Sequence, residues 1–265
     1  MRNQLRDLGA QYGIPTVMVE VSHSEVPFDS FDNVRGRAIH IHDELTYADA
    51  VAFFGMNAMW DTTTHAQHYE GRADPGFYSE TDTIVLIDIV QNKVVISPMG
   101  RAIGHYARWI SRGAVRIDAT SDDPLVQVTA FRDDGQGRIV LVAINNAAVA
   151  RALQVSLQGL PALPGTFTGE QSTASAAWSP LGGTTTATGW SIDLPALSVT
   201  SIAAGAPTGA GADAGGDAGP GSGGQMGGCC GAGGADPRGI LALAALVLRA
   251  TGRPRRAENR RQAEQ

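Results

Sequence analysis

Glu20 ends the run Ile14-Pro-Thr-Val-Met-Val-Glu20, which continues Val-Ser-His23. The β-branched content of the run predicts a buried strand. An ionised carboxylate at the end of such a strand is costly unless it is hydrogen-bonded or put to chemical use. Upstream, residues 2–11 read as a helix, with Leu5 and Leu8 three apart and Gly13 as its stop. Helix, stop, strand and strand-end carboxylate is the order in which a (β/α) barrel presents a catalytic group. A strand-end Glu that simply meets solvent is the competing reading.

Other residues of reactive type carry weaker signals. Glu25, Asp29 and Asp61 lie in polar stretches and read as solvated loop carboxylates. His40 and His42 fall on a predicted helix and read as structural. His65, His68 and Glu70 share a polar loop, but two histidines and one Glu without helical context do not make a metal site. No metal and no cofactor is expected. The two cysteines, Cys229 and Cys230, are adjacent, a geometry poorly suited to an ordinary structural disulfide, and they lack metal-ligand spacing.

These residues need elements to hold them. The chain has 265 residues, 43% hydrophobic, enough for one or two cores. Its formal net charge of −6 argues against nucleic acid as a partner. Residues 1–112 alternate helix and strand. The expected elements are a loop over 23–37, a helix over 38–51, a strand over 52–60, a polar loop over 61–80, a hairpin of 83–90 with 93–97, and a helix over 98–111 whose Pro98 sits at the tolerated N-terminal position. Residues 113–204 read as all-β, with short runs at 114–119, 126–131, 139–144, 153–157 and 197–203. The hairpin turn Asp133-Asp134-Gly135-Gln136-Gly137 lies among them. Several short strands at this spacing predict a β-sandwich. Residues 205–236 hold 14 glycines in 32 positions and read as a linker.

Residues 237–265 contain the apolar run 240–248, followed by Arg249, Arg253, Arg255, Arg256, Arg260 and Arg261. The run is short for a spanning helix, which needs ~20 apolar residues, yet an apolar run followed by basic residues has the polarity of a stop-transfer element. The expectation is a short hydrophobic C-terminal helix. Residues 1–11 carry no apolar core of a signal peptide, and the first helix starts without a cap, which points to a start inside a larger unit.

Taken in order, the segments resemble the C-terminal portion of glycoside hydrolase family 30. Ile14-Pro-Thr-Val-Met-Val-Glu20-Val-Ser resembles the seventh barrel strand with its terminal Glu. Ala38-Ile-His-Ile-His-Asp-Glu-Leu45 and the run from Phe53 to Trp60 resemble the next helix and the eighth strand. Ile103-Gly-His-Tyr-Ala-Arg-Trp-Ile-Ser-Arg-Gly-Ala-Val-Arg-Ile117 resembles the last helix entering the side sandwich. Asp118-Ala-Thr-Ser-Asp122, 140–145 and Leu194-Pro-Ala-Leu-Ser-Val-Thr200 resemble sandwich strands. The resemblance implies the C-terminal part of a (β/α)8 barrel followed by a β-sandwich. It makes Glu20 the nucleophile of a retaining β-glycosidase, with Trp60 a platform for a sugar face and His23 a substrate contact. Core packing for Trp60 and a solvated loop for His23 are the alternatives.

A retaining enzyme needs a second carboxyl group roughly 5–5.5 Å from the first. In the family that acid follows an Asn on the fourth barrel strand, which has no counterpart in this chain. The resemblance therefore implies a fragment inactive by itself, with a polysaccharide or glycoconjugate as substrate of the whole. A non-catalytic carbohydrate-binding or adhesion module at the cell surface is the alternative. The tail resembles the myxobacterial C-terminal sorting signal (MYXO-CTERM type). The matching features are Gly228-Cys229-Cys230, Asp236-Pro237-Arg238-Gly239, the apolar run and the arginines. That implies secretion, display at the outer membrane, processing near Cys229 and Cys230 by sorting machinery, and membrane contact through the C-terminal segment alone.

Overall fold

The computed structural model describes residues 1–19, 30–55, 57–61, 83–88, 92–159, 165–186, 189–205 and 245–251. The architecture is mixed α/β and mostly sheet. Helix α1 (Arg2–Tyr12) ends where Gly13 takes the left-handed conformation, φ 64°. There the Ile14 N–H reaches back to the Gly9 carbonyl at 2.9 Å, a closure that suits a residue without Cβ. Strand β1 (Thr16–Met18), helix α2 (Phe31–Tyr47) and strand β2 (Ala50–Phe53) form a βαβ unit, because β1 and β2 pair in parallel and parallel neighbours need a crossover.

Helix α2 starts at Phe31, inside the stretch expected to be loop. The Ser30 hydroxyl accepts the Asn33 N–H at 3.3 Å, and Asp32 stands in the first turn, so the capped helix begins seven residues before the expected start. The helix stops at Tyr47, and Asp49 adopts a positive φ of 52°. Val34, Ala38 and Ile41 form its buried stripe.

The expected single strand over 52–60 is two strands in two sheets. It breaks after Phe53 at Phe54-Gly55, and β3 (Asn57–Asp61) instead pairs in parallel with β4 (Thr83–Asp88), which pairs antiparallel with β5 (Lys93–Ile96). Helix α3 (Pro98–Ala107) follows. The Ser97 hydroxyl caps it by accepting the Gly100 N–H at 3.0 Å, and Pro98 occupies the first turn.

The sandwich comprises β6 (Val115–Ser121), β7 (Val126–Asp133), β8 (Arg138–Asn145), β9 (Arg151–Gln158), β10 (Gly165–Ser172), β11 (Ser179–Thr185), β12 (Gly189–Leu194) and β13 (Ser198–Gly205), joined by β14 (Ala245–Thr251). The strand order is β11-β10-β13-β8-β7-β6-β14-β9-β12. The first half of β6 pairs with β7 and its second half with β14, so β6 passes from one layer to the other.

Strand β8 shows why helices and sandwich stay together. Its residues 139–144 are all apolar and buried, as expected for a strand covered on both faces. Ile139, Leu141 and Ala143 face the sandwich core with Phe167, Trp190 and Ile202. Val142 and Ile144 face the helices, beside Val34, Ile41 and Ala102. The two-residue period thus splits one strand between two cores. Asn145 ends it, donating to the Pro195 carbonyl at 2.7 Å and accepting the Ala147 N–H at 2.9 Å.

Strands β10, β11 and β12 lie where no strand was expected. β10 and β11 are built from Gly, Ser and Thr with few apolar residues, and β11 sits at the sheet margin, where Pro180 is tolerated. Gly189 opens β12 at φ 143°, with its position for a Cβ only 1.7 Å from the Val155 carbonyl oxygen, so any side chain there would collide with β9.

The expected C-terminal helix is also corrected. Residues 245–251 form β14, parallel to β6 and antiparallel to β9. A lone short helix would satisfy only itself, whereas the extended form supplies hydrogen bonds to two strand edges at once.

Candidate active site

Strands β1 and β2 set the geometry at the C-terminal end of the βαβ unit. Met18 lies opposite Phe53, and the Phe54 N–H donates to the Met18 carbonyl at 2.9 Å. The two strands therefore end level, with Glu20 two residues beyond Met18. Glu20 and His23 themselves lie outside the described residues, as do Glu25, Asp29, His65, His68, Glu70, Cys229 and Cys230.

Trp60 lies on β3, in register with Leu86 of β4. Its strand belongs to a different sheet from β1 and β2. The backbone thus does not place Trp60 on the strand beside that of Glu20, contrary to the expected eighth strand. Neither β1 nor β2 carries a carboxylate of its own.

Among the described residues, charged groups of the helices share a cavity with Met18 at the end of β1. Arg2 Nε lies 2.7 Å from Glu44 Oε1 and Arg2 Nη1 3.2 Å from Asp43 Oδ2. His40 Nε2 is 3.3 Å from the same Glu44 oxygen, and its ring meets the edge of Phe53 at 5.8 Å. Met18, Arg2, His40, Glu44 and Tyr47 line a cavity of about 610 Å³. Burial pushes the Asp43 carboxyl above its ordinary value, opposed by Arg2. Burial also holds His40 below its ordinary value, the nearby Glu44 notwithstanding. Both carboxylates are engaged by Arg2, which suits an ion-pair anchor between α1 and α2 better than a proton donor to a leaving group.

Two buried histidines, neither assigned a specific partner from sequence, fix the helices to the sandwich. His42 Nδ1 lies 2.6 Å from Thr129 Oγ1 on β7. His105, fully buried, has Nδ1 2.8 Å from Ser201 Oγ and Nε2 2.8 Å from Ser172 Oγ. The Ser201 hydroxyl donates to the His105 carbonyl at 2.6 Å, so it accepts from Nδ1–H, and Nε2 accepts from Ser172. That tautomer is neutral. Burial lowers His105 to about 3 and His42 to about 4. The available sequence signal was a polar residue on the apolar face of a short helix, between Ala102 and Tyr106.

This clamp joins the βαβ unit to a sandwich of recognisable kind. Residues 113–202 match the glycosyl hydrolase family 30 beta sandwich domain. Solved family 30 structures share the fold over most of the chain. A GH30 endoxylanase from Clostridium papyrosolvens C71 aligns with TM-score 0.57 and 20% identity, covering 78% of this chain and 46% of its own. The subfamily 8 xylanase Xyn30A from Clostridium acetobutylicum gives 0.57 and 18%, covering 76% and 45%. The catalytic domain of GH30 xylanase C from Talaromyces cellulolyticus gives 0.56 and 18%, covering 73% and 41%. The chain spans less than half the length of each of these family 30 structures. No curated protein matches it significantly.

Proposed function

We propose that this chain is the C-terminal portion of a secreted, surface-displayed retaining β-glycosidase, with Glu20 as its nucleophile. The observation that carries this reading is the level, parallel ending of β1 and β2, two residues before Glu20, on a chain that runs on into a family 30 sandwich. Glu20 would attack the anomeric carbon, and a second carboxyl group, supplied by polypeptide outside this chain, would protonate the leaving oxygen and later activate water. Asp43 and Glu44 do not fill that role while Arg2 holds them.

A polysaccharide is the substrate class proposed, since the solved relatives named above are xylanases. Display at the surface rests on the sequence of the tail, from Gly228-Cys229-Cys230 through the arginines. The test is hydrolysis of xylan, β-1,6-glucan and galactan by the isolated chain. No hydrolysis is expected. Turnover that disappears in Glu20→Gln would show that the chain needs no outside acid. Retention on an insoluble polysaccharide without cleavage, equal in parent and Glu20→Gln, would favour a binding module in place of an enzyme fragment.

A further inference from the structure

The turn between β7 and β8 holds two adjacent carboxylates in very different ways. The strands pair as far as Asp133↔Arg138, and residues 134–137 between them are exposed. Asp133 is locked: its side chain is 5% exposed, Oδ1 accepts the Gln136 N–H at 3.1 Å, and Oδ2 lies 3.3 Å from Arg138 Nε. The Asp134 side chain is 69% exposed. Its carboxylate has one partner among the described residues, Arg132, whose Nε lies 2.8 Å from Oδ1 without hydrogen-bond alignment. An ion pair this exposed restrains little. Gly135 follows, with no side chain to shield its amide nitrogen, and Asp134-Gly135 is the only Asp-Gly or Asn-Gly step in the chain. The Gln136 and Gly137 N–H groups bond back to the carbonyls of Asp133 and Asp134, at 3.3 Å each, whereas the Gly135 N–H has no partner among the described residues. A solvated carboxyl carbon and an uncommitted amide nitrogen thus stand at the chain spacing that closes a succinimide, and a ring closure within one chain needs no encounter.

We propose that Asp134 is a site of spontaneous isoaspartate formation in the folded protein. The Gly135 nitrogen attacks Asp134 Cγ; the N–Cγ bond forms and a Cγ–O bond breaks. The departing oxygen leaves as water, carrying the amide proton and one proton from solvent. Water then adds to the imide. Opening at Cγ restores Asp134. Opening at the former main-chain carbonyl leaves the chain running through Cγ, with that carbonyl carbon now a free carboxylate. Nothing is oxidised or reduced, and the net charge is unchanged. The product adds a methylene to the backbone of the turn and alters the carbonyl that accepts the Gly137 N–H. The change falls where two central strands of the sandwich are joined. This assignment stands independently of the glycosidase reading.

The test incubates the full folded chain at neutral pH for weeks and digests samples with trypsin. Cleavage after Arg132 and Arg138 releases residues 133–138 as one peptide that carries both carboxylates. Electron-transfer fragmentation locates isoaspartate within it, and an isoaspartyl methyltransferase with a labelled methyl donor measures the amount. Isoaspartate is expected to accumulate at Asp134 and to stay absent from Asp133 in the same peptide. It should also stay absent from Asp123, since Pro124 offers no N–H to attack. Gly135→Ala should lose most of the product. That variant is expected to fold, because a Cβ at Gly135 meets nothing closer than Asp133 Oδ1 at 3.6 Å and the residue is not in the left-handed region. No isoaspartate in the aged peptide overturns the proposal, as does equal formation at Asp133 and Asp134. Undiminished product in Gly135→Ala overturns the attack by the Gly135 nitrogen. Product that forms in urea but not in the native chain also overturns it, because the folded turn would then protect the step.

Discussion

The sandwich and the α/β region preceding it are built to different standards of completeness. Among the described residues sixteen large apolar side chains stand exposed; thirteen lie between Met1 and Ile96, including Leu5, Leu8, Ile14, Val17, Val51 and Phe54, and three, Val115, Leu125 and Val149, lie beyond. Helix α1 buries nothing. Strand β8, by contrast, has both faces covered. A parallel sheet is stable when both faces are covered by helices, and the pair β1–β2 with one crossover helix leaves its outer apolar positions in water. One region is closed on both faces of its central strand; the other, among the described residues, keeps many of its large apolar side chains exposed.

The contrast can be broken most directly by cavities. Leu141→Ala, at the centre of β8, is expected to cost about 2–5 kcal/mol, read as a lower urea midpoint. An effect below ~1 kcal/mol would mean the sandwich is not the stable half. Acid should act next, at the seam. His105 and His42 have folded values of about 3 and about 4, below the ordinary 6.5. The unfolded chain therefore binds protons that the folded chain refuses. Their contribution is fully present above about pH 6.5 and is lost as pH falls toward the folded values. Between pH 7 and 4.5, His105 alone should cost about 2–3 kcal/mol. His105→Gln should show a flatter dependence of urea midpoint on pH than the parent, and a parallel curve would remove the seam from the explanation.

Smaller effects sharpen the same comparison. Arg2→Ala frees Asp43 and Glu44, but Arg2 is itself 40% exposed, so the cost should stay below ~1 kcal/mol while tryptic cleavage near α1 quickens. Leu8→Ala, on the uncovered side, should change stability by no more than ~0.5 kcal/mol, while binding of a hydrophobic dye falls. A loss comparable to that of Leu141→Ala would show that the face is covered in solution.

Legibility in the sequence divides along similar lines. Strands whose apolar residues made dense runs, β7, β8 and β13, were visible because burial on one or both faces writes itself into composition. Strands β10 and β11 were not, since a margin strand needs backbone pairing more than apolar side chains, and Gly182 and Gly183 read as loop. The start of α2 was hidden by polar residues whose capping role depends on Ser30 meeting the Asn33 amide. At the site, the order of β1, α2 and β2 was legible; the assignment of Trp60 to the strand beside Glu20 was not, because the break at Gly55 sends β3 to another sheet. The apolar tail was read by its hydrophobicity, yet the edges of β6 and β9 determine that 245–251 is extended, and those edges lie more than 85 residues away.

The position of β14 also sets an order of events at the ribosome. Every other sandwich strand has been synthesised by Gly205, yet Asp118 and Gln158 must wait for Ala245 to find their shared partner. At about 5–20 residues per second, the intervening chain holds the nascent domain open for seconds, with two strand edges bare. Among the described sandwich strands β14 is thus the last to be synthesised, and a ribosome that stalls before Ala245 leaves the edges of β6 and β9 without it.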